Sequence, residues 1–266
     1  MVWCSRITGR ENMKISINNK ILIDGLTAVL LKGKYPSGAS TKNKNISEYA
    51  LLEVLNNRIE IYNADSTTGC CYSIPINNEV LALDIGHCIL DIPKTVKYLK
   101  AFKGVVTIEV GDVIRFNCSG KSATIPLTII HPHLDMINMV KGIELPTDDT
   151  MPTFGKNQTP FECKILVQSA LLVDATNTCD VTDTGIYNLE ATEDALHITS
   201  PSDNNETISV SIDTIQIEGE EAGVSIAGPF SNFMNSVVII YMKDDFPILM
   251  RSPNRLLLKA PRFSPR

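Results

Sequence analysis

Three short stretches carry residue types that could make or break bonds. "HPHLD" sets His131, His133 and Asp135 at alternate positions, and alternate residues of a strand share a face, as the ligands of metal-dependent hydrolases can. A hydrolytic centre needs more ligands and a base, yet only His87 and His197 remain. The stretch reads better as a polar linker, with a metal-dependent hydrolase as the alternative. "CSGKS" (118–122) mimics the end of a phosphate loop, but Arg115 stands where that loop needs its first glycine. Alternating strand-like residues flank it, so it reads as a hairpin turn. The acidic pairs Asp148-Asp149 and Asp244-Asp245 fall in a connector and a turn, and read as solvated. These residues point to no enzyme, no metal and no cofactor.

A different chemistry is written in "IPKTVKYLKAFKG" (92–104), where Lys94, Lys97, Lys100 and Lys103 recur at every third position. At about 100° per residue the first three share one side of a helix. Val96, Leu99 and Phe102 fall on the other, and Lys103 sits at the C-terminus, where a cation suits the helix dipole. Pro93 and Gly104 bound the helix. The whole chain is acidic, with a formal net charge of −6 and a pI near 5.3. It is therefore no general nucleic-acid coat, and any contact with phosphates must come from a local patch. By residue type alone, the lysine row is either such a patch or an ordinary solvated face.

The elements that would position these residues repeat. "MKISIN" (13–18) alternates as a strand, and 19–33 carries Ile23, Leu26 and Leu30 at helical spacing. Strands follow at 49–55, 58–64 and 70–76, the first two meeting at Asn56-Asn57, a hairpin signal. The same order returns from "VLALDIG" and the lysine helix, again from "FECKIL" with a helix over 168–177, and again from "AGVSIAG" with a helix over 229–237. Four βαβββ units in series define an α+β fold of two similar domains, 13–130 and 161–266, with both helices of each on one face of an antiparallel sheet. Residues 131–160, rich in Pro, Asp, Thr and Asn, form the connector, and residues 1–12 read as a disordered extension. The cysteines, seven without a CxxC pair, indicate free thiols in a reducing, intracellular setting. No apolar run approaches the roughly 20 residues that span a bilayer.

With that order in place, the chain resembles the DNA sliding clamps of the proliferating-cell-nuclear-antigen family over about 13–262. The resemblance rests on "KDDFPILMRSPNRLLLKAPR" (243–262), with Asp245-Phe246-Pro247-Ile248 and a last strand ending Ala260-Pro261-Arg262. It also rests on the turn "NADSTTG" (63–69), the lysine helix with "GVVTIEV" after it, and "GIELPT" (142–147) in the connector. It implies a ring of six similar domains built as a homotrimer, joined head to tail through strands 121–129 and 207–213. It implies duplex-DNA contact without sequence readout by Lys20, Lys32, Lys94, Lys97, Lys100 and Lys103, with Lys34 or a loop bearing Arg251 and Arg255 as further contributors. The helices of the second domain depart from the family by carrying no Lys or Arg, and the third helix has Asp174.

The resemblance further implies a pocket for partner peptides from a DNA polymerase, a clamp loader and other replication or repair proteins. Its walls would be Ala64, Asp65, Thr68, Ile143, Leu145, Pro146, Pro247, Leu258, Ala260 and Pro261. Thr68 and Gly69 stand where the family often has a histidine and a larger apolar residue. A clamp-fold interaction protein that forms no homo-ring is the main alternative to a processivity clamp.

Overall fold

The computed structural model describes residues 13–31, 48–128, 130–146, 150–202, 204, 206–230 and 236–262. The chain opens with β1 (Met13–Asn18), α1 (Asn19–Ala28), β2 (Tyr49–Val54), β3 (Arg58–Ala64), β4 (Thr68–Pro75) and β5 (Val80–Asp84). Next come β6 (Gly86–Asp91), α2 (Ile92–Ala101), β7 (Val105–Val110), β8 (Val113–Cys118) and β9 (Lys121–Pro126). After α3 (Leu134–Lys141) and the short pair β10 (Thr153–Phe154) and β11 (Thr159–Pro160), the pattern resumes. It runs through β12 (Cys163–Gln168), α4 (Ser169–Cys179), β13 (Ile186–Ala191), β14 (Ala195–Pro201), β15 (Thr207–Asp213) and β16 (Gln216–Gly219). It ends with β17 (Ala222–Ala227), β18 (Val237–Met242), β19 (Ile248–Ser252) and β20 (Arg255–Lys259).

The repeated order expected from the sequence is present, with two corrections. "VLALDIG" is not the strand that leads into the lysine helix: β5 pairs with β1, and β6 leads into α2. β16, which pairs with β12 as β5 does with β1, escaped notice because "QIEG" shows no alternation. The helix expected at 229–237 falls largely on residues outside the described set.

The chain divides into two compact units. Among the described residues the first takes in 13–27, 49–61 and 73–131, and the second 28–31, 48, 62–72 and those from 132 onward. The first holds an antiparallel sheet in the order β5-β1-β7-β8-β9, beside the β2–β6 pair. Alternation drives one face inward: Ile15, Ile17, Ile108 and Phe116 are fully buried, as are Leu22 and Leu26 of α1 and Leu99 of α2. Burying each such side chain contributes about 1.5–3 kcal/mol. Asn19 at the start of α1 donates from Nδ2 to the Leu99 and Phe102 carbonyls at 3.1 and 2.9 Å. Those carbonyls close α2, where the Leu99 carbonyl also accepts from the Phe102 N–H at 3.1 Å, so one amide ties the two helices together.

The second unit holds six strands in the order β16-β12-β18-β19-β20-β4 and a four-stranded sheet β15-β14-β13-β17. α4 covers β14 and β15, burying Leu172, Ala175 and Cys179. The six described cysteines are buried free thiols, and no described helix is long and apolar enough to cross a membrane.

The connector is more ordered than its composition indicates. α3 buries Ile137 and Val140 and ends on Gly142, whose N–H donates to the Asn138 carbonyl at 3.0 Å. It lies on Gly69 of β4 so closely that a Cβ there would sit 2.5 Å from Val140 Cγ2 and 3.0 Å from Met136 Cγ. Lys141 places Nζ 5.2 Å from the centroid of the Tyr62 ring, a cation–π contact that secures the last turn. Val140 is stiff at χ1 and cannot swing aside. A Gly69→Ala variant is therefore expected to lose about 1–3 kcal/mol of stability by overpacking, read as a lower urea midpoint in equilibrium unfolding.

Candidate functional site: a lysine face and a proline-aromatic pocket

α2 is set by local chemistry. Asp91 caps it, Oδ1 accepting from the Lys94 amide at 2.8 Å, and Pro93 starts its first turn. Ile92, Thr95, Leu99 and Phe102 are buried, so the inward face is turned slightly from the expected one and Val96 is only half-buried. Lys94, Lys97, Lys100 and Lys103 are all exposed. Lys121 joins them: its Nζ donates to the Ala101 carbonyl at 3.2 Å, a cation at the helix C-terminus that sequence reasoning left inside the "CSGKS" turn.

The other expected cations fare unequally. Lys20 is exposed on α1, with the exposed Asp24 one turn on. Lys32 and Lys34 lie outside the described residues. Arg255 does not face solvent: it is 5% exposed, and its guanidinium interacts with Cys70. A DNA-facing role for that loop through Arg255 is thus corrected. The exposed side of α4 presents Asp174 and no basic residue.

The expected pocket residues separate into a support and a surface. Asp65 Oδ1 accepts from the Thr67 and Thr68 amides at 2.7 Å each, folding the turn after β3. Ala260 donates its N–H to the Thr67 carbonyl at 2.8 Å, and Lys259 Nζ donates to Thr68 Oγ1 at 2.6 Å and Thr67 Oγ1 at 3.2 Å. Ala64, Asp65, Thr68 and Leu258 are buried and hold this turn against the last strand. Ile143, Leu145, Pro146, Pro247, Ala260 and Pro261 are half-buried.

A cavity of about 400 Å³ opens nearby, lined by Phe154, Lys156, Thr159, Phe246, Pro247 and Pro261 among others. Of the ten expected residues, Pro247 and Pro261 line it. Its floor is aromatic: Phe246 meets Phe154 edge-on at 5.9 Å and the buried Phe161 at 5.5 Å. Phe154, Phe161 and the β10–β11 hairpin that places Phe154 were missed, because two-residue strands leave no periodic signal.

The enzymatic motifs do not assemble. His131 is buried with Nε2 3.0 Å from the Tyr49 carbonyl, which can only accept, so that nitrogen carries the proton and is not free for a metal. Cys118 pairs with Lys121 around Ser119 and Gly120, both at positive φ, which makes "CSGKS" a two-residue hairpin. Among the described residues no group of three His, Cys, Asp or Glu is placed to hold a metal ion.

No protein-family model and no curated protein matches the sequence. Solved structures do. The proliferating cell nuclear antigen of A. fulgidus, bound to the C-terminal region of FEN-1, aligns with a TM-score of 0.62 at 12% identity, covering 96% of this chain and 100% of that one. The corresponding protein of Thermococcus kodakaraensis aligns at 0.63 and 14% identity over 94% of this chain and 100% of its own. A putative DNA polymerase III beta subunit from Eubacterium rectale aligns at 0.71 and 12% identity, over 96% of this chain and 67% of that longer one. The chain has the sliding-clamp fold.

The buried lysine gives this support a measurable signature. Burial pulls Lys259 down from the ordinary lysine value to about 8, with Asp65 pulling the other way. An unfolded lysine keeps its proton to about 10.4, so between those values the unfolded state binds more protons and stability rises with pH. Buried thiols act oppositely, since burial raises Cys70 and Cys163 to about 11 and Cys88 to about 12. Comparison with a Lys259→Met variant cancels them. Urea unfolding is expected to show wild type gaining on that variant from about pH 8 to about pH 10.4, by up to about 1.4 kcal/mol per unit.

Proposed function

We propose that this protein is a DNA sliding clamp, a processivity factor that encircles duplex DNA and tethers a polymerase and other replication or repair enzymes. The observation that carries the reading is the clamp fold bearing an exposed row of lysines on α2 in an otherwise acidic chain. Mobile ammonium groups hold phosphates without reading bases, which a sliding protein requires. The protein acts by topology and makes or breaks no bonds. It works inside the cell, as two clamp domains (13–130 and 161–266) joined by the connector 131–160, and closes as a homotrimer through the edges expected at 121–129 and 207–213, of which the structure forms β9 (Lys121–Pro126) and β15 (Thr207–Asp213). A clamp loader would open it.

Partners would dock through short peptides. The A. fulgidus clamp was solved with the C-terminal region of FEN-1, and the Helicobacter pylori beta clamp with a DNA ligase peptide. In this chain the proline-aromatic cavity beside Pro247 and Pro261 is the place for an apolar or aromatic plug, with Ile143, Leu145, Pro146 and Ala260 as adjoining surface and the Asp65–Thr68 turn as its support. One observation favours a second reading, a clamp-fold interaction protein without a homo-ring: α4 offers Asp174 and no cation.

Light scattering on a sizing column separates the two. The clamp reading expects close to three times the 29.2 kDa chain, and a concentration-independent monomer would overturn it. Replacing Lys94, Lys97 and Lys100 together by alanine is expected to weaken duplex binding equally for all sequences. The slope of log affinity against log salt should flatten by about 0.9 for each phosphate that the variant no longer neutralises. An unchanged slope would remove α2 from the DNA surface.

A further inference from the structure

Resting on the homotrimer reading, we infer that two sheet edges, β9 of one copy and β15 of the next, join in a single register: Ser122 opposite Ser209 and Thr124 opposite Thr207. The chain carries its own template for this join. β20, the closing strand of the fourth repeat, pairs with β4, the closing strand of the first, from Arg255↔Tyr72 to Lys259↔Thr68. The same places in the other two repeats belong to β9 and β15, and each stands at the end of its sheet.

The two hairpins before the join align residue by residue. Ser252↔Arg255 closes one and Cys118↔Lys121 the other, each around two residues, so Lys121 matches Arg255 and Ile125 matches Lys259. On the other side, β4 begins where Asp65 donates to the Thr68 carbonyl, and β15 where Ser202 donates to the Glu206 carbonyl. Thr68 therefore matches Glu206, and Gly69 matches Thr207. Carried over, the β20–β4 register becomes Lys121↔Val210, Ser122↔Ser209, Ala123↔Ile208, Thr124↔Thr207 and Ile125↔Glu206.

Two properties the template did not use agree with it. Ile125 and Ile212 are buried, which marks the inward face of each edge, and the register sets Ala123 against Ile208 on that face. Ser122, Thr124, Thr207 and Ser209 are exposed, and they meet as hydroxyl pairs on the outer face, a favourable cross-strand combination. A slip of one residue would set Ile125 against a hydroxyl and reverse both faces.

Backbone donors agree as well. The closing pair Cys118↔Lys121 spends the Lys121 amide across its own hairpin, so Ser122, Thr124 and Pro126 face outward. The Ser202–Glu206 bond likewise leaves Thr207 and Ser209 facing outward. Pro126 has no N–H, and it matches Ala260, whose N–H donates to Thr67. In the inferred register Pro126 lies beyond the start of β15 at Thr207, outside the paired residues. A two-residue slip would instead set Pro126 opposite Thr207 itself.

The test is oxidation of the full-length protein carrying Ser122→Cys and Ser209→Cys with copper phenanthroline, beside each single variant and the Ser122→Cys/Ser211→Cys pair that reports the two-residue slip. All three positions are exposed, and the six described native cysteines are buried, so background coupling is low. The expected result is covalent dimers and a closed trimer from the first pair, absent from both single variants. Trimeric mass with coupling only through Ser122→Cys/Ser211→Cys, or through neither pair, overturns the register while leaving the trimer standing. A monomeric mass overturns both, and a link within one chain overturns the join.

Discussion

The antiparallel pairing of β20 with β4 joins the last strand to the turn after β3 across about 190 residues of sequence, from Arg255↔Tyr72 to Lys259↔Thr68. Such closure carries a loop entropy cost that local pairings avoid. Once made, it organises much of the second unit. It buries Lys259 and Arg255, draws the Asp65–Thr68 turn onto Ala260, and offers Gly69 as the flat place on which α3 lies. Leu258, Pro247 and Pro261 are held where they are because the strands on either side are locked in register. The same kind of main-chain pairing is what the inferred join of β9 with β15 would supply between copies.

Burying two cations beneath this join has a cost. Lys259 gives its hydrogen bonds to the hydroxyls of Thr67 and Thr68, and no carboxylate is directly bonded to it in that set. The charged form is therefore disfavoured there. Buried polar groups hold a unique arrangement more effectively than they add stability. The threonines at 67 and 68 are thus accounted for by the lysine above them.

Charge is distributed with equal economy. An acidic protein repels nucleic acid at long range, and a row of lysines on one helix reverses that sign only locally. Salt screens such contacts over about 8 Å at physiological strength, so in the proposed role the grip on phosphates would be weak, adjustable and indifferent to sequence. α2 can carry the lysines because its stability comes from elsewhere: the Asp91 cap, Pro93, and the buried Ile92, Leu99 and Phe102.

Period and punctuation in the sequence determined most of the elements. Alternation marked most strands from β1 to β20, Pro93 and Gly104 bounded α2, and three-residue spacing put Lys94, Lys97 and Lys100 on its exposed side. These signals are local, and local backbone geometry is enough to read them. What tertiary structure alone decided was which of two plausible fates each ambiguous residue met. Arg255 looked like a surface cation and is core, since its strand is flanked on both sides by β19 and β4. α3 looked like linker and is a helix, because Gly69, far away in the sequence, leaves room for Val140 and Met136. The pocket's aromatic floor comes from Phe154 and Phe246, with Phe161 packed against Phe246, and no spacing connects the three. Contacts between residues far apart in the chain leave no periodic trace in it, so they become visible only when the strands are in register.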